Sequence, residues 1–327
     1  MSHPSCKVAL RTGIVFLAIL AFGVYGRGQA ISNLYKFAKT RDTTYYVSPP
    51  GKYSVFLVAN LVGSRMGIYG KEDNNSKMRT HISSKSMVNN TIIVGYRGIA
   101  IGYSFNPYSS SKKSDDKRFS LTLHGNFLGI DFGYYNIKSF SGYSRMGSQR
   151  MEIPYGDPAM KLLMVNSYVV FNHKHYSFPA GASQSYIQKK SSGSLLAGVT
   201  YSYNKTSASS VGISGESLKV NAKTVSIGAG YGYNYVPGKN YLIAVTLMPK
   251  FVVYDSSNLD LDRYNVRKTF SNPQFTYSGS LAAVRHIGKF CLAVSALADG
   301  LSSNHSSSSF ILNQLQWQVH AYFGVNF

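Results

Sequence analysis

Acidic side chains are scarce in this chain. Asp and Glu together number 13 against 34 Lys and Arg, for a formal net charge of +21. Hydrolysis of a glycosidic bond by the usual route needs two carboxylates facing each other. Most acids here, Asp115, Asp116, Glu152, Asp157 and Glu216 among them, fall in polar connections, and Asp131 alone reads as lying in the middle of a strand. Cysteine is nearly missing too. Cys6 falls within the expected export signal, residues 1–30, whose removal leaves Cys291 by itself and excludes an internal disulfide in the exported chain. Cys6 also stands on the wrong side of the apolar run for a lipid anchor. No apolar run after Tyr25 approaches the roughly 20 residues that a membrane-spanning helix requires. No Pro- or Ser-rich linker separates halves of different composition, so one domain is expected.

What stands at the start is an address. Lys7 and Arg11 precede an apolar run from Gly13 to Tyr25, and the small residues Gly28 and Ala30 follow. This is the layout of a Sec signal peptide over residues 1–30. Residues 31–51 read as a periplasmic leader ending in the structure-breaking Ser48-Pro49-Pro50-Gly51. Cleavage removes Lys7, Arg11 and Arg27 and no acid, so the exported chain stays strongly basic. The anionic partners this charge points to are outer-membrane lipid and lipopolysaccharide rather than nucleic acid, and a generally solvated cationic surface is the alternative.

Residues 52–327 are dominated by alternation. From Gln314 to Phe327, apolar Leu315, Trp317, Val319, Ala321, Phe323, Val325 and Phe327 are interleaved with Gln316, Gln318, His320, Tyr322, Gly324 and Asn326. Successive side chains of a strand point to opposite faces, so this stretch has one greasy face and one wet one. It exceeds the roughly 9–11 residues of a transmembrane strand. The pattern recurs to give about twelve strands, an even number as outer-membrane barrels require. Connections alternate long and short, with the short ones near Arg97, Phe127, Pro237 and Gly288. Short turns belong to the periplasmic side and long loops to the outside, and a sheet in lipid must close on itself to pair its backbone. The 26 Tyr and 18 Phe suit girdles at the lipid boundary. The expected fold is all-β: a transmembrane antiparallel β-barrel of the outer-membrane type in a Gram-negative bacterium. Its apolar residues meet lipid, and small polar residues line the interior. A soluble all-β protein with its greasy face inside is the alternative, and it leaves the tyrosine girdles without a purpose.

The connection from Asn172 to Gly193 falls at a short-turn position and is long. Its Phe178, Tyr186, Gln188, Lys189 and Lys190 are expected to form an ordered cap or plug at the periplasmic mouth, because large rings are costly to leave in water. A flexible basic turn is the alternative. Expected lumen-lining residues are His124, Asp131, His286, Gln316 and His320. His124 and Asp131 face each other across a turn as a possible dyad, more commonly a plain hydrogen bond. The three histidines carry no metal-ligand spacing. The Gly228–Asn234 run GAGYGYN is followed by no helix, so it is no phosphate loop. No cofactor, metal or catalytic residue is assigned, and the expectation is a non-enzyme.

Several segments together carry a family resemblance: TTYYVSPPGKYSVFLVAN, VGYRGIAIGYSFNP, HYSFPAGASQSYIQKKSSGS, GAGYGYNYVPGKNYLI with MPKFVVY, and the Phe-terminated end. The stretch from Asp42 to Phe327 resembles a Bacteroidetes outer-membrane-barrel-like family, domain of unknown function 4421. The resemblance implies export and a barrel, and brings no activity, ligand or catalytic residue. The leading functional expectation is a small pore for passive transport of small, including anionic, solutes. The alternatives are a structural or ligand- or lipopolysaccharide-binding barrel and an outer-membrane lipid-modifying enzyme. The strand ending in Phe327 is the expected signal for the barrel assembly machinery.

Overall fold

The computed structural model describes residues 40–71, 77–84, 87–106, 116–138, 140–157, 159–209, 217–261, 268–269, 274–303 and 310–327. The expected signal peptide lies outside the described residues. Arg41–Phe327 forms one compact unit. It opens with a two-residue strand, β1 (Tyr46–Val47), followed by β2 (Tyr53–Lys71), β3 (Lys77–Ser84), β4 (Met87–Tyr96), β5 (Ile99–Phe105), β6 (Lys117–His124) and β7 (Leu128–Ile137). The hairpin β8 (Phe140–Met146) and β9 (Gln149–Ile153) precedes β10 (Ala159–Val170). A one-turn helix, α1 (Phe178–Ala182), and β11 (Ile187–Gln188) lead into β12 (Ser192–Ala208), β13 (Leu218–Tyr235) and β14 (Tyr241–Leu261). The two-residue β15 (Lys268–Thr269), β16 (Gln274–Ile287), β17 (Phe290–Ser303) and β18 (Phe310–Asn326) complete the order.

Twelve of these strands close a ring in sequence order: β2, β4 to β7, β10, β12 to β14 and β16 to β18, with β18 returning to β2. All neighbours are antiparallel. The seam runs from Phe310 opposite Gly70 to Asn326 opposite Ser54. Closure gives each strand of the ring a partner on both sides, which is the condition for a sheet in hydrocarbon. No helix among the described residues is long and apolar enough to cross a membrane, so strands do the crossing. The facing is that of a membrane barrel: Phe56 is 5% exposed and its neighbour Leu57 is 56% exposed. Leu61, Ile92, Val94, Ile101, Val245, Leu247, Leu281, Val294 and Phe323 extend the exposed apolar belt around the ring. The short turns fall where alternation placed them, helped by left-handed backbone at Arg97 (φ 47), Gly98 (φ 89) and Gly288 (φ 60). Tyr53 and Phe327 lie at the same end of the barrel as these turns.

Three features differ from the alternation pattern. Strand β3 and the β8–β9 hairpin lie beyond the twelve strands that alternation counts. The outer half of β2, Arg65–Lys71, pairs with β3 instead of β4, and β8 and β9 continue that sheet. The interior is not uniformly small and polar. Met66, Ile82, Ile137, Phe140, Ile153, Met160, Ala208 and Val220 form an apolar cluster at the outer end of the interior. Other apolar clusters occupy the periplasmic end, where α1 sits among Phe56, Val58, Leu242 and Val284. Finally, Asp131 is not the only acid within a strand: Glu152 lies in β9, Asp255 and Asp260 in β14 and Asp299 in β17.

Proline and a bulge account for the irregularities of β14. The β13–β14 ladder is interrupted opposite Pro249, which has no N–H to give. At Val225/Ser226 the register shifts, and Val253 and Tyr254 then both face outward.

Candidate functional site in the barrel interior

The long periplasmic connection folds into the barrel mouth and is clasped by the leader. Strand β1 pairs with β11, matching Tyr46 with Gln188 and Val47 with Ile187. The Lys189 N–H donates to Tyr45 O at 2.7 Å, and Asp42 N donates to Lys174 O at 2.9 Å. Lys189 Nζ reaches Thr43 O at 3.2 Å, and Lys190 Nζ sits 5.1 Å from the Tyr45 ring centroid. Tyr46 donates its hydroxyl to His173 O at 2.5 Å and meets Tyr186 edge to face at 5.5 Å. The Asp42 carboxyl is held below its usual value by hydrogen bonds from the Thr44 hydroxyl and backbone. Burial pushes the Tyr46 phenol up and raises Tyr176 to about 12.

Helix α1 begins at Phe178 with Pro179 inside its first turn, where a missing N–H costs nothing. It ends where Ser183 N donates to Pro179 O and Gln184 takes φ 55. That left-handed backbone costs a non-glycine residue about 1–2 kcal/mol, offset in part by the Gln184 side-chain amide bonding Gly181 O at 3.1 Å. Gln188 is the polar centre of the cap. Its Nε2 donates to His175 O at 2.7 Å and Lys190 O at 3.0 Å, and its Oε1 accepts from Ser177 N and from Asn234 on the barrel wall. Phe178 packs on Tyr168 with centroids 4.2 Å apart. Tyr176 lies over Gly232, where any Cβ would collide with its hydroxyl.

Between the cap and the outer apolar cluster lies a chamber of about 350 Å³. His124 Nε2 stands 2.6 Å from Asp131 Oδ1, and His124 Nδ1 stands 2.7 Å from Ser183 Oγ of the cap. On the facing wall Lys250 donates to Thr200 Oγ1 at 2.9 Å and Ser278 Oγ at 3.1 Å, and Thr200 in turn donates to Asn166. Asp299 and Asp131 line the same chamber as Lys250. Arg118 lies 5.8 Å from the Tyr135 ring centroid and also borders the chamber.

The three inward histidines do not converge. His320 borders the chamber but bonds Tyr322 at 2.7 Å and Gln318 at 3.2 Å within its own strand. His286 is buried near the periplasmic end, away from the chamber lining, and neither ring nitrogen finds a hydrogen bond. Gln316 points inward yet turns its amide to Met160 Sδ at 3.9 Å, beyond the chamber lining. Among the described residues no group of three or more His, Cys, Asp or Glu is placed to hold a metal ion. Sequence reasoning missed Ser183, Lys250 and Asp299. Alternation could have found Lys250 and Asp299, since Phe251 and Ala298 face out and their neighbours must face in. No local signal marks Ser183.

A closed antiparallel ring of twelve strands with an apolar outer belt defines an outer-membrane β-barrel of the Gram-negative envelope. The chain belongs to the family Domain of unknown function (DUF4421), which matches residues 40–327. No curated protein matches the chain. Among solved structures it is similar to the outer membrane protease OmpT from Escherichia coli, with TM-score 0.45 and 10% identity, covering 86% of this chain and 98% of that one. It is also similar to the COG4313 outer membrane channel from Pseudomonas putida F1, with TM-score 0.36, 10% identity and coverage of 85% and 96%. A third likeness is to the translocator domain of the autotransporter NalP from Neisseria meningitidis, with TM-score 0.35, 12% identity and coverage of 96% and 99%.

Proposed function

We propose that the barrel is a narrow pore that admits small polar solutes, with the cap setting the size limit at its periplasmic end. The observation that supports this is the chamber inside the barrel, whose largely apolar wall carries hydroxyls, amides and charges of both signs. Lys250 and Arg118 face Asp131 and Asp299 there. The basic surplus of the whole chain is thus not carried into the chamber, which argues for neutral or zwitterionic solutes over the anions suggested by net charge. The apolar cluster at the outer end favours a second reading, a barrel that holds a small ligand without passing it.

Planar-bilayer recording on the full chain tests the proposal. Discrete conductance is expected, and replacing residues 177–186 by a short Gly-Ser turn should enlarge it. No current above leak from either form would end the pore reading, and a small molecule released from the native barrel on unfolding would then favour the binding one.

A further inference from the structure

Three side chains from separate segments converge on one edge of the chamber. Ser183 lies just past α1, His124 ends β6 and Asp131 lies on β7. An ionised carboxylate only accepts hydrogen bonds, so Asp131 at 2.6 Å keeps the proton on His124 Nε2. The lone pair of Nδ1 then faces the Ser183 hydroxyl at 2.7 Å, closer than the other acceptor of that hydroxyl, Pro179 O at 3.3 Å. Nucleophile, base and orienting acid are the parts that acyl transfer by serine requires. The ring is turned end for end relative to the serine-protease arrangement, in which Nε2 faces the serine, but either nitrogen can take the proton. Tyr168 and Phe178 fix the imidazole edge-on, with centroids 5.8 and 6.3 Å away. Ser185 Oγ, 2.9 Å from Ser183 Oγ, places a second hydroxyl beside the nucleophile. The chamber volume of about 350 Å³ is of the size that encloses small ligands, roughly 300–1,000 Å³.

We propose that Ser183, His124 and Asp131 form an acyl-transfer site that hydrolyses a small, uncharged acyl ester inside the barrel. Ser183 Oγ bonds to the ester carbonyl carbon while its proton passes to His124 Nδ1. The carbonyl π pair moves onto oxygen and returns as the C–O bond to the alcohol breaks, and the leaving alkoxide takes the proton from Nδ1. Water then adds to the acyl-serine, giving a proton to Nδ1 that returns to Ser183 as the carboxylic acid leaves. Ser183 and His124 touch the reacting atoms, and Asp131 is a positioning residue. This goes beyond the pore reading and does not depend on it.

The test is covalent labelling of the folded full-length protein in detergent by an alkyl fluorophosphonate. In that step Ser183 Oγ displaces fluoride from phosphorus. Mass spectrometry should place the phosphonate on Ser183, faster than on any other serine, and p-nitrophenyl acetate should be hydrolysed. Asp131→Asn should slow labelling by about 10²–10⁴-fold, as loss of the correct tautomer does elsewhere, and Asp131→Glu should restore part of it. Wild-type protein that is folded, by its heat-dependent migration on gels, yet unlabelled at Ser183 overturns the proposal without need of any variant. Equal labelling in wild type and Asp131→Asn overturns it as well. A silent bilayer with a labelled Ser183 sinks only the pore, and a conducting protein with an unlabelled Ser183 sinks only this site.

Discussion

The side-chain amide of Asn234 donates to the side-chain carbonyl of Gln188 at 3.0 Å, joining barrel wall to cap. Both residues are buried, and Asn234 also donates to Ser177 O at 2.8 Å. Removing one partner of a buried hydrogen bond costs about 1–3 kcal/mol. Asn234→Leu should therefore leave the ring closed and raise the undocked fraction of the cap roughly 5- to 150-fold. Trypsin cleavage after Lys189 or Lys190 in folded protein reads that fraction. Cleavage no faster than in the wild type would show that this pair does not hold the cap.

The cap should also loosen in alkali. Burial raises Tyr176 to about 12 from an ordinary 10.0, and it raises Tyr46 further. A raised phenol is held neutral by the fold, so its contribution is complete below pH 10 and is lost as pH climbs toward the folded value. Between pH 10 and 12 the urea midpoint of the wild type should fall more steeply than that of Tyr176→Phe, which has no phenol to ionise at that position. Parallel decline of the two would refute the assignment.

The lipid face was legible in the sequence because its period of two is local. Leu57, Val94, Val245 and Phe323 each declare their side through the next residue alone. The charged chamber was legible in part. Asp299 and Lys250 follow from the same alternation, because Ala298 and Phe251 beside them face out. His124 and Asp131 were readable as neighbours across a turn. Ser183 was not, since it reaches them through an inserted cap whose position depends on Tyr46 and Gln188, 142 residues apart in the chain. Contacts of that reach leave no periodic trace.

Charge balance in the chamber predicts selectivity. Lys250 is buried, bonds Thr200 and Ser278, and shares the chamber lining with Asp299 and Asp131. In the pore reading, Lys250→Met leaves the two carboxylates in excess and should shift the reversal potential in a salt gradient toward cation preference. Asp299→Asn should shift it toward anions. The wild type should lie between them. Shifts of the same sign in both variants would place the selective charges outside this chamber.

The inside-out arrangement itself can be tested on one ladder. Val245 and Leu281 are opposite each other on β14 and β16 and are both exposed to the lipid belt. The next pair, Thr246 and Ser280, faces the chamber. An arginine facing the middle of the bilayer costs a barrel about 2–4 kcal/mol, whereas lumen positions mainly tune selectivity. Val245→Arg should therefore lower folding stability in lipid vesicles by about that amount, while Ser280→Lys should change it far less. The single tryptophan, Trp317, reports the transition, because its ring lies against Gly63 at the β18–β2 seam and is exposed when the seam opens. If Ser280→Lys proved the more costly of the two, the greasy face would be the interior, and the chain would be folded the other way round.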